Sequence, residues 1–162
     1  MKLHLPYFSE KTKVKVLDEI VEVKAFQIIV WVSLSADDVF AWNPRMTRFP
    51  AILDIGNNHN FAMTEEHLVK WAGIHPSSLA RLGMIRESRK KVPLCSAELW
   101  LHTDGDPFSL IVEEGIALYD GDWPRLPILG LRALTKNKLQ TFIDGDRKQV
   151  IIRTRPKWYW PF

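Results

Sequence analysis

One carboxylate is placed where it could act as a general acid or base. Asp54 follows the apolar residues Ala51-Ile52-Leu53 and comes two residues before Gly56. This order predicts a short strand that delivers Asp54 to a tight turn, because glycine permits turn conformations and lets another backbone approach closely. A carboxylate held at a strand end can transfer protons in a reaction. Asp-x-Gly is also an ordinary turn sequence, so the local pattern leaves a catalytic role and a purely structural role open.

Histidine and cysteine are weaker candidates for chemistry. His59, His67 and His75 are spaced eight residues apart, but no helix or strand period brings all three side chains to one centre. We interpret them as surface histidines and expect neither a metal nor a cofactor. Cys95 lies in an apolar, strand-like run without a motif for thiol chemistry, so it is interpreted as a buried structural thiol.

Length and composition predict one globular domain. The chain has 162 residues, of which 46% are hydrophobic and 25% are charged, so it can bury a core of its own. Its single cysteine excludes an intrachain disulfide and favours a reducing compartment. The longest apolar run, residues 26–34, is too short to span a bilayer, and the first residues lack the apolar stretch of a signal peptide. We therefore expect a soluble, cytoplasmic protein that does not bind membranes.

The basic charge is modest and is interpreted as a solvated surface. The net charge is +3, with the excess mostly in Arg81–Lys91 and Arg147–Lys157, whereas nucleic-acid binders usually concentrate far more lysine and arginine on one face. The tail after residue 152 mixes basic and aromatic residues, a pattern that also suits stacking on single-stranded nucleic acid. Pro156 and Pro161 argue against a central strand there. We expect the tail aromatics to pack on their own domain or on a partner subunit, and these residues are Trp158, Tyr159, Trp160 and Phe162.

Most of the chain shows strand signals, accompanied by two or three short helices. Thr64 as N-cap, two glutamates in the first turn and Gly73 as the stop predict one helix of about two turns. Residues 131–138 have the length and composition of another helix, and His75–Leu79 predicts a brief helical turn. The predicted strands are 13–23, 26–34, 49–53, 92–102, 108–112, 116–119, 126–129, 139–143 and 149–153. We therefore predict a mostly β fold.

The order of these motifs resembles the retropepsin-like family, the retroviral-type, single-lobe aspartic proteases. The resemblance covers about residues 26–154 and implies a closed acid-protease β-barrel. It leaves residues 1–25 as an N-terminal extension packed on the domain and residues 155–162 as an aromatic C-terminal tail. The motifs that carry it are Ala51–Gly56, the helix-like Glu65–Gly73, a central hairpin region, Pro127–Leu131 before a helix, and Thr141–Gly145 before the last strand.

The resemblance also implies an activity and a partner. Proteins of this family work as homodimers in which each subunit supplies one aspartate, and Asp54 occupies that position here. Two carboxylates so close together share one proton and activate a water that hydrolyses a peptide bond. The resemblance assigns support of the catalytic loop to Ile55, Gly56, Asn57, Leu129 and Gly130. The expected function is thus that of an aspartic endopeptidase acting on peptide or protein substrates, without a cofactor.

The sequence departs from the family at three places. The usual residue after the aspartate is Thr or Ser, whose hydroxyl binds the opposite subunit's loop, and Ile55 has no hydroxyl. Asn57 stands where a small residue is common. Met84–Lys91 lies where a hairpin would cover the cleft but lacks a glycine-rich tip. These departures keep open a catalytically inactive retropepsin-like module that binds peptides or proteins. The basic, aromatic tail keeps open a binder of single-stranded nucleic acid.

Overall fold

The structure, a computed structural model, describes residues 1–36, 42–87, 90–112 and 114–155. Strands dominate these residues, and the helical segments are short, so the prediction of a mostly β fold with two or three short helices is confirmed. The helical segments are α1 (Glu65–His67), a π-helical turn (Leu68–Ala72), a 3-10 turn (Pro76–Ser78) and α2 (Leu131–Lys136). The strands are β1 (Lys2–Pro6), β2 (Thr12–Val16), β3 (Glu19–Val23), β4 (Ile29–Ser35), β5 (Phe49–Asp54), β6 (Phe61–Thr64), β7 (Arg81–Glu87), β8 (Lys90–Cys95), β9 (Glu98–Leu101), β10 (Phe108–Leu110), β11 (Ile116–Tyr119), β12 (Ile128–Gly130), β13 (Leu139–Asp144) and β14 (Gln149–Thr154).

A nine-stranded sheet forms the centre of the molecule. Its order is β10-β9-β4-β5-β12-β6-β11-β8-β7, and a three-stranded sheet β1-β14-β13 and a β2-β3 hairpin lie beside it. Two neighbouring pairs of the large sheet are parallel, β5 with β12 and β6 with β11. Parallel strands end at the same edge of a sheet, so β5 and β12 bring two distant parts of the chain to one place.

The predicted closed barrel is wrong. The large sheet ends at β10 on one side and at β7 on the other, and no ladder joins these two strands in the described ranges. Closure requires the first and last strands to pair with a consistent stagger. β10 has only three residues, and β7 is mostly exposed and pairs with β8, so neither end offers the other a matching edge. The sheet is therefore open.

Residues 1–25 contribute strands and core side chains. β1 pairs with β14 along its whole length, and this pairing buries Leu3 and Leu5. Val16 at the end of β2 and Val23 at the end of β3 belong to the same hydrophobic cluster. The removal of apolar surface from water is the main stabilising contribution to such a core.

Two strands predicted as continuous are each divided. Residues 13–23 form the β2-β3 hairpin, which reverses at Leu17 with a φ of 52°. Residues 92–102 are split between β8, which pairs with β7 and β11, and β9, which pairs with β4 and β10. The alternation of side chains indicates strand conformation but does not show where pairing partners change. The predicted ends of the helical segment between Thr64 and Gly73 are confirmed, since Thr64 Oγ1 accepts a hydrogen bond from His67 N at the start of α1 and Gly73 adopts a left-handed conformation after the π-helical turn.

The C-terminal tail was predicted as residues 155–162, and all of it except Arg155 lies outside the described residues. The helices within the described part of the chain are all too short or too polar to cross a bilayer.

A partly buried histidine links the end of β9 to β4. His102 Nε2 lies 2.7 Å from Ser33 Oγ, and that hydroxyl also donates to Thr47 O at 2.9 Å. Burial, with a smaller contribution from the positive charge of Arg48, lowers the pKa of His102 from 6.5 to about 4. The folded protein therefore keeps this imidazole neutral down to about pH 4.

We expect the free energy of unfolding to fall between about pH 6.5 and pH 4, by up to about 3 kcal/mol through His102 alone. In this window the unfolded chain binds a proton at His102 that the folded chain does not bind. The stability that the neutral His102 contributes is therefore fully present above pH 6.5 and is lost as the pH falls towards 4. Urea denaturation at both ends of the window measures the loss. His102→Gln should reduce it, whereas His75→Gln, which changes an exposed ring, should not. An equal loss in all three proteins would contradict the assignment.

Candidate active site

Asp54 is the last residue of β5 and lies beside Gly130, the last residue of β12. The parallel ladder between these strands pairs Ile52 with Ile128, Leu53 with Leu129 and Asp54 with Gly130. The two motifs singled out in the sequence are thus neighbours in space. Leu129 is fully buried and also pairs with Phe61 of β6, so β12 lies between the strand that precedes the Asp54 loop and the strand that follows it.

Gly130 lets the loop after Asp54 cross directly over the end of β12. A Cβ atom at Gly130 would lie 2.0 Å from His59 O and 2.8 Å from Asn57 O, distances that no side chain can occupy. Two hydrogen bonds hold this crossing, from Gly130 N to Asn60 O and from Leu131 N to Asn57 O, both 3.1 Å. The absence of a side chain at Gly130 therefore sets the path of the Asp54 loop.

The Asp54 carboxylate is oriented by its own loop. Gly56 N donates to Asp54 Oδ1 at 2.9 Å, and Asn57 N donates to Asp54 O at 3.1 Å. A Cβ atom at Gly56 would stand only 3.2 Å from Oδ1, so a larger residue there would crowd the carboxylate. The side chain is partly exposed, which leaves it accessible to solvent and to ligands.

Asn57 supports the loop and does not hydrogen-bond the Asp54 carboxylate through its amide. Its Oδ1 accepts a hydrogen bond from His59 N at 2.9 Å, the pattern of an Asx turn. This bond stabilises the segment whose carbonyl groups pack against Gly130.

Apolar side chains are exposed next to the carboxylate. Ile55 is 58% exposed, and Leu131, the first residue of α2, is 42% exposed. They directly follow Asp54 and Gly130, the last pair of the parallel ladder, so both lie at the same edge of the sheet. Sequence reasoning assigned Ile55 to this site but missed Leu131, because only the pairing of β5 with β12 places it there.

The β7-β8 hairpin approaches the Asp54 loop at His59, whose Nε2 lies 3.9 Å from Glu87 Oε2. Its ladder runs from Arg81 opposite Cys95 to Glu87 opposite Lys90, and residues 88 and 89 lie outside the described residues. The described residues of the segment predicted to cover the cleft, Met84–Lys91, lie at the end of β7 and the start of β8. A cavity of about 560 Å³ lies between the hairpin and the loop after β11. Its lining includes Glu87, Lys90, Val92, Tyr119, Asp120, Asp122 and Trp123.

Three polar side chains that the sequence did not single out as a group meet beside this cavity. Tyr119 Oη donates a short hydrogen bond to Glu87 Oε2, and His59 Nε2 lies 3.4 Å from Tyr119 Oη. Burial, followed by the hydrogen bond to Glu87 and the charge of its carboxylate, raises the pKa of Tyr119. No sequence signal could have joined these residues, because they come from a loop, β7 and β11.

The other candidates of the sequence occupy separate structural positions. His67 stacks on Trp71 at a centroid distance of 4.4 Å, and burial lowers its pKa. His75 is the N-cap of the 3-10 turn, where its Nδ1 accepts a hydrogen bond from Ser77 N. Cys95 is buried, and burial raises the pKa of its thiol. Within the described ranges, no three His, Cys, Asp or Glu side chains are grouped closely enough to hold a metal ion.

No model of a known protein family and no curated protein matches this sequence. The fold and the Asp54 loop define the structural class of the protein. It is a mostly β protein in which a loop carrying one oriented carboxylate crosses the end of a neighbouring parallel strand.

Proposed function

We propose that the protein is an aspartic endopeptidase of retropepsin-like fold, acting as a homodimer in which each copy supplies Asp54. The observation that carries this proposal is the pairing of Asp54 with Gly130 at the ends of two parallel strands, with the Asp54 loop crossing over Gly130. This arrangement orients one carboxylate at an accessible sheet edge. In the proposed dimer each copy has a single-lobe, retropepsin-like strand arrangement built on an open sheet.

A second carboxylate is needed for the chemistry and comes from a second copy. In a two-fold dimer each residue near the axis faces its own equivalent, so Asp54 beside the axis faces another Asp54. The exposed Ile55 and Leu131 support such a contact, because the burial of apolar side chains favours association. Ile55 then contributes apolar packing where the related proteases use a hydroxyl.

The reaction proceeds through a water held between the two carboxylates. The ionised Asp54 removes a proton from this water, and the water oxygen attacks the carbonyl carbon of the peptide bond. The protonated Asp54 hydrogen-bonds the carbonyl oxygen and transfers its proton as the tetrahedral intermediate forms. That intermediate collapses when the C–N bond breaks: the leaving nitrogen takes a proton from the Asp54 that the water had protonated, and one hydroxyl of the intermediate returns a proton to the other Asp54 as the carbonyl group forms. The bond from Gly56 N to Oδ1 keeps each carboxylate aimed during these transfers.

Ile55 also favours a second candidate function, a non-catalytic module that binds peptides or proteins. Without a hydroxyl at this position, the two Asp54 loops cannot be joined by the hydrogen bonds that the family uses. A dimer with widely separated carboxylates would bind a peptide without hydrolysing it.

Incubation of the purified protein with a mixture of unrelated peptides tests the proposal. We expect new peptide termini between about pH 3 and pH 6, detected by mass spectrometry, because the dyad must hold one shared proton. A peptide analogue with a tetrahedral hydroxyl at the cleavage position should block the reaction, since it imitates the intermediate. Peptide binding without any cleavage would refute the endopeptidase and support the binding module.

We expect Ile55→Asp to weaken the homodimer by at least about ten-fold in dissociation constant, because it places two like charges beside the proposed two-fold axis. Light scattering during gel filtration, over a range of concentrations, measures the change. Ile20→Asp is the matched control, since Ile20 is 71% exposed on the β2-β3 hairpin. If both variants dimerise like the wild type, the two-fold axis does not pass near Ile55.

A further inference from the structure

The distal end of the β7-β8 hairpin extends beyond the sheet that supports its base. β11 pairs with β8 at Leu94 and Cys95, whereas Lys90 and Val92 lie further along the hairpin. Two strands without a third neighbour are marginally stable in water. The distal end therefore depends on side-chain contacts with the rest of the molecule.

Glu87, the last residue of β7, makes such a contact with Tyr119, the last residue of β11. The Tyr119 hydroxyl donates to Glu87 Oε2, and the ring of Trp123 packs edge-on against Tyr119 with a centroid distance of 4.6 Å. Tyr119 is only 8% exposed, so its hydroxyl is held in a fixed direction. A hydrogen bond from a buried hydroxyl to a carboxylate is stronger than one between neutral groups.

His59 connects this pair to the loop that carries Asp54. Its Nε2 lies 3.9 Å from Glu87 Oε2 and 3.4 Å from Tyr119 Oη. The backbone oxygen of the same residue faces Gly130, which pairs with Asp54. A continuous path of contacts thus runs from the end of the hairpin to the carboxylate loop.

We propose that Tyr119, Glu87 and His59 are positioning residues that hold the distal end of the β7-β8 hairpin beside the Asp54 loop. The hairpin then borders the cavity in a defined position and restrains a peptide that lies along it. The structural part of this inference is independent of catalysis, and its effect on cleavage rests on the proposed function.

Hydrogen exchange tests the structural part. In Tyr119→Phe we expect the amides of residues 84–87 and 90–92 to exchange about ten-fold faster, with β4 and β5 unchanged, because loss of a charge-assisted hydrogen bond releases the hairpin locally. Tyr7→Phe is the matched control, as it removes a hydroxyl that donates to Gly145 O on another surface. Unchanged exchange in the hairpin, or an equal increase throughout the sheet, would overturn the inference.

Two variants of Glu87 distinguish the effect of its hydrogen bond with Tyr119 from the effect of its negative charge. Glu87→Gln keeps an acceptor for the Tyr119 hydroxyl and should retain most of the protection from exchange, whereas Glu87→Ala should match Tyr119→Phe. If Glu87→Ala exchanges like the wild type, Glu87 does not hold the hairpin.

Kinetics test the consequence for cleavage. We expect Tyr119→Phe to raise KM about five-fold and to leave kcat within about two-fold, since a loosened hairpin weakens substrate binding more than the chemical step. A merely destabilised protein would instead lose active molecules, which lowers apparent kcat at constant KM and would contradict the positioning role. Failure of the wild type to cleave any peptide would refute the proposed function and leave the exchange result standing.

Discussion

Asp54→Asn should abolish peptide hydrolysis, lowering kcat by at least about 1,000-fold, while the protein folds as before. An amide has nearly the shape of a carboxylate, and its oxygen can still accept the hydrogen bond from Gly56 N. It cannot, however, remove a proton from water or share one with a second carboxylate. The substitution therefore prevents proton transfer at residue 54 but preserves the structure of the loop.

The measurement compares the rate of cleavage with thermal unfolding in the same preparations. Asp18→Asn is the matched control, because Asp18 is exposed in the turn between β2 and β3 and should leave both quantities unchanged. Equal cleavage by the wild type and Asp54→Asn would show that Asp54 is not the catalytic group. Equal peptide binding by both, without cleavage, would favour the binding module.

A mixed-dimer experiment shows whether one active site uses two Asp54 side chains. When wild-type protein is mixed with an equal amount of Asp54→Asn and subunits exchange, about half of the wild-type subunits pair with an inactive copy. If each site needs both carboxylates, activity falls to about half of its starting value. Unchanged activity after demonstrated exchange would mean that a single Asp54 suffices and would contradict the shared site.

Gly130→Ala is expected to destabilise the protein by at least about 3 kcal/mol, a large effect for the addition of one methyl group. The new Cβ atom would lie 2.0 Å from His59 O, so either β12 or the Asp54 loop must move. The movement would also disturb the bonds from Gly130 N and Leu131 N to that loop. Activity should therefore fall further than the loss of folded protein explains.

Urea denaturation gives the free energy of unfolding for this comparison. Gly145→Ala is a suitable control, because a Cβ atom there meets nothing within 4 Å and the substitution should change stability by less than about 0.5 kcal/mol. If Gly130→Ala unfolds at the same urea concentration as the wild type, the close crossing of the Asp54 loop over β12 is wrong.

Part of the candidate site was predictable from the sequence. Asp54 and Gly56 stood out because a carboxylate after an apolar strand and before a glycine is a local pattern, and Leu129-Gly130 stood out by its resemblance to a known motif. Leu131 was missed, although it is as close to the ladder's end as Ile55 is. Its place depends on the pairing of β5 with β12, which no local pattern encodes.

The fold, like the site, has features that the sequence predicts and features that only the tertiary structure determines. The sequence by itself determined the strand-rich character and the two ends of the helical segment from Thr64 to Gly73, because cap hydrogen bonds and left-handed glycine conformations are local properties. The tertiary structure alone decided that the large sheet is open, that β5 and β12 run parallel, and that His59, Glu87 and Tyr119 meet. These outcomes depend on which strands pair across long stretches of chain, and strand propensity and side-chain alternation do not specify a partner.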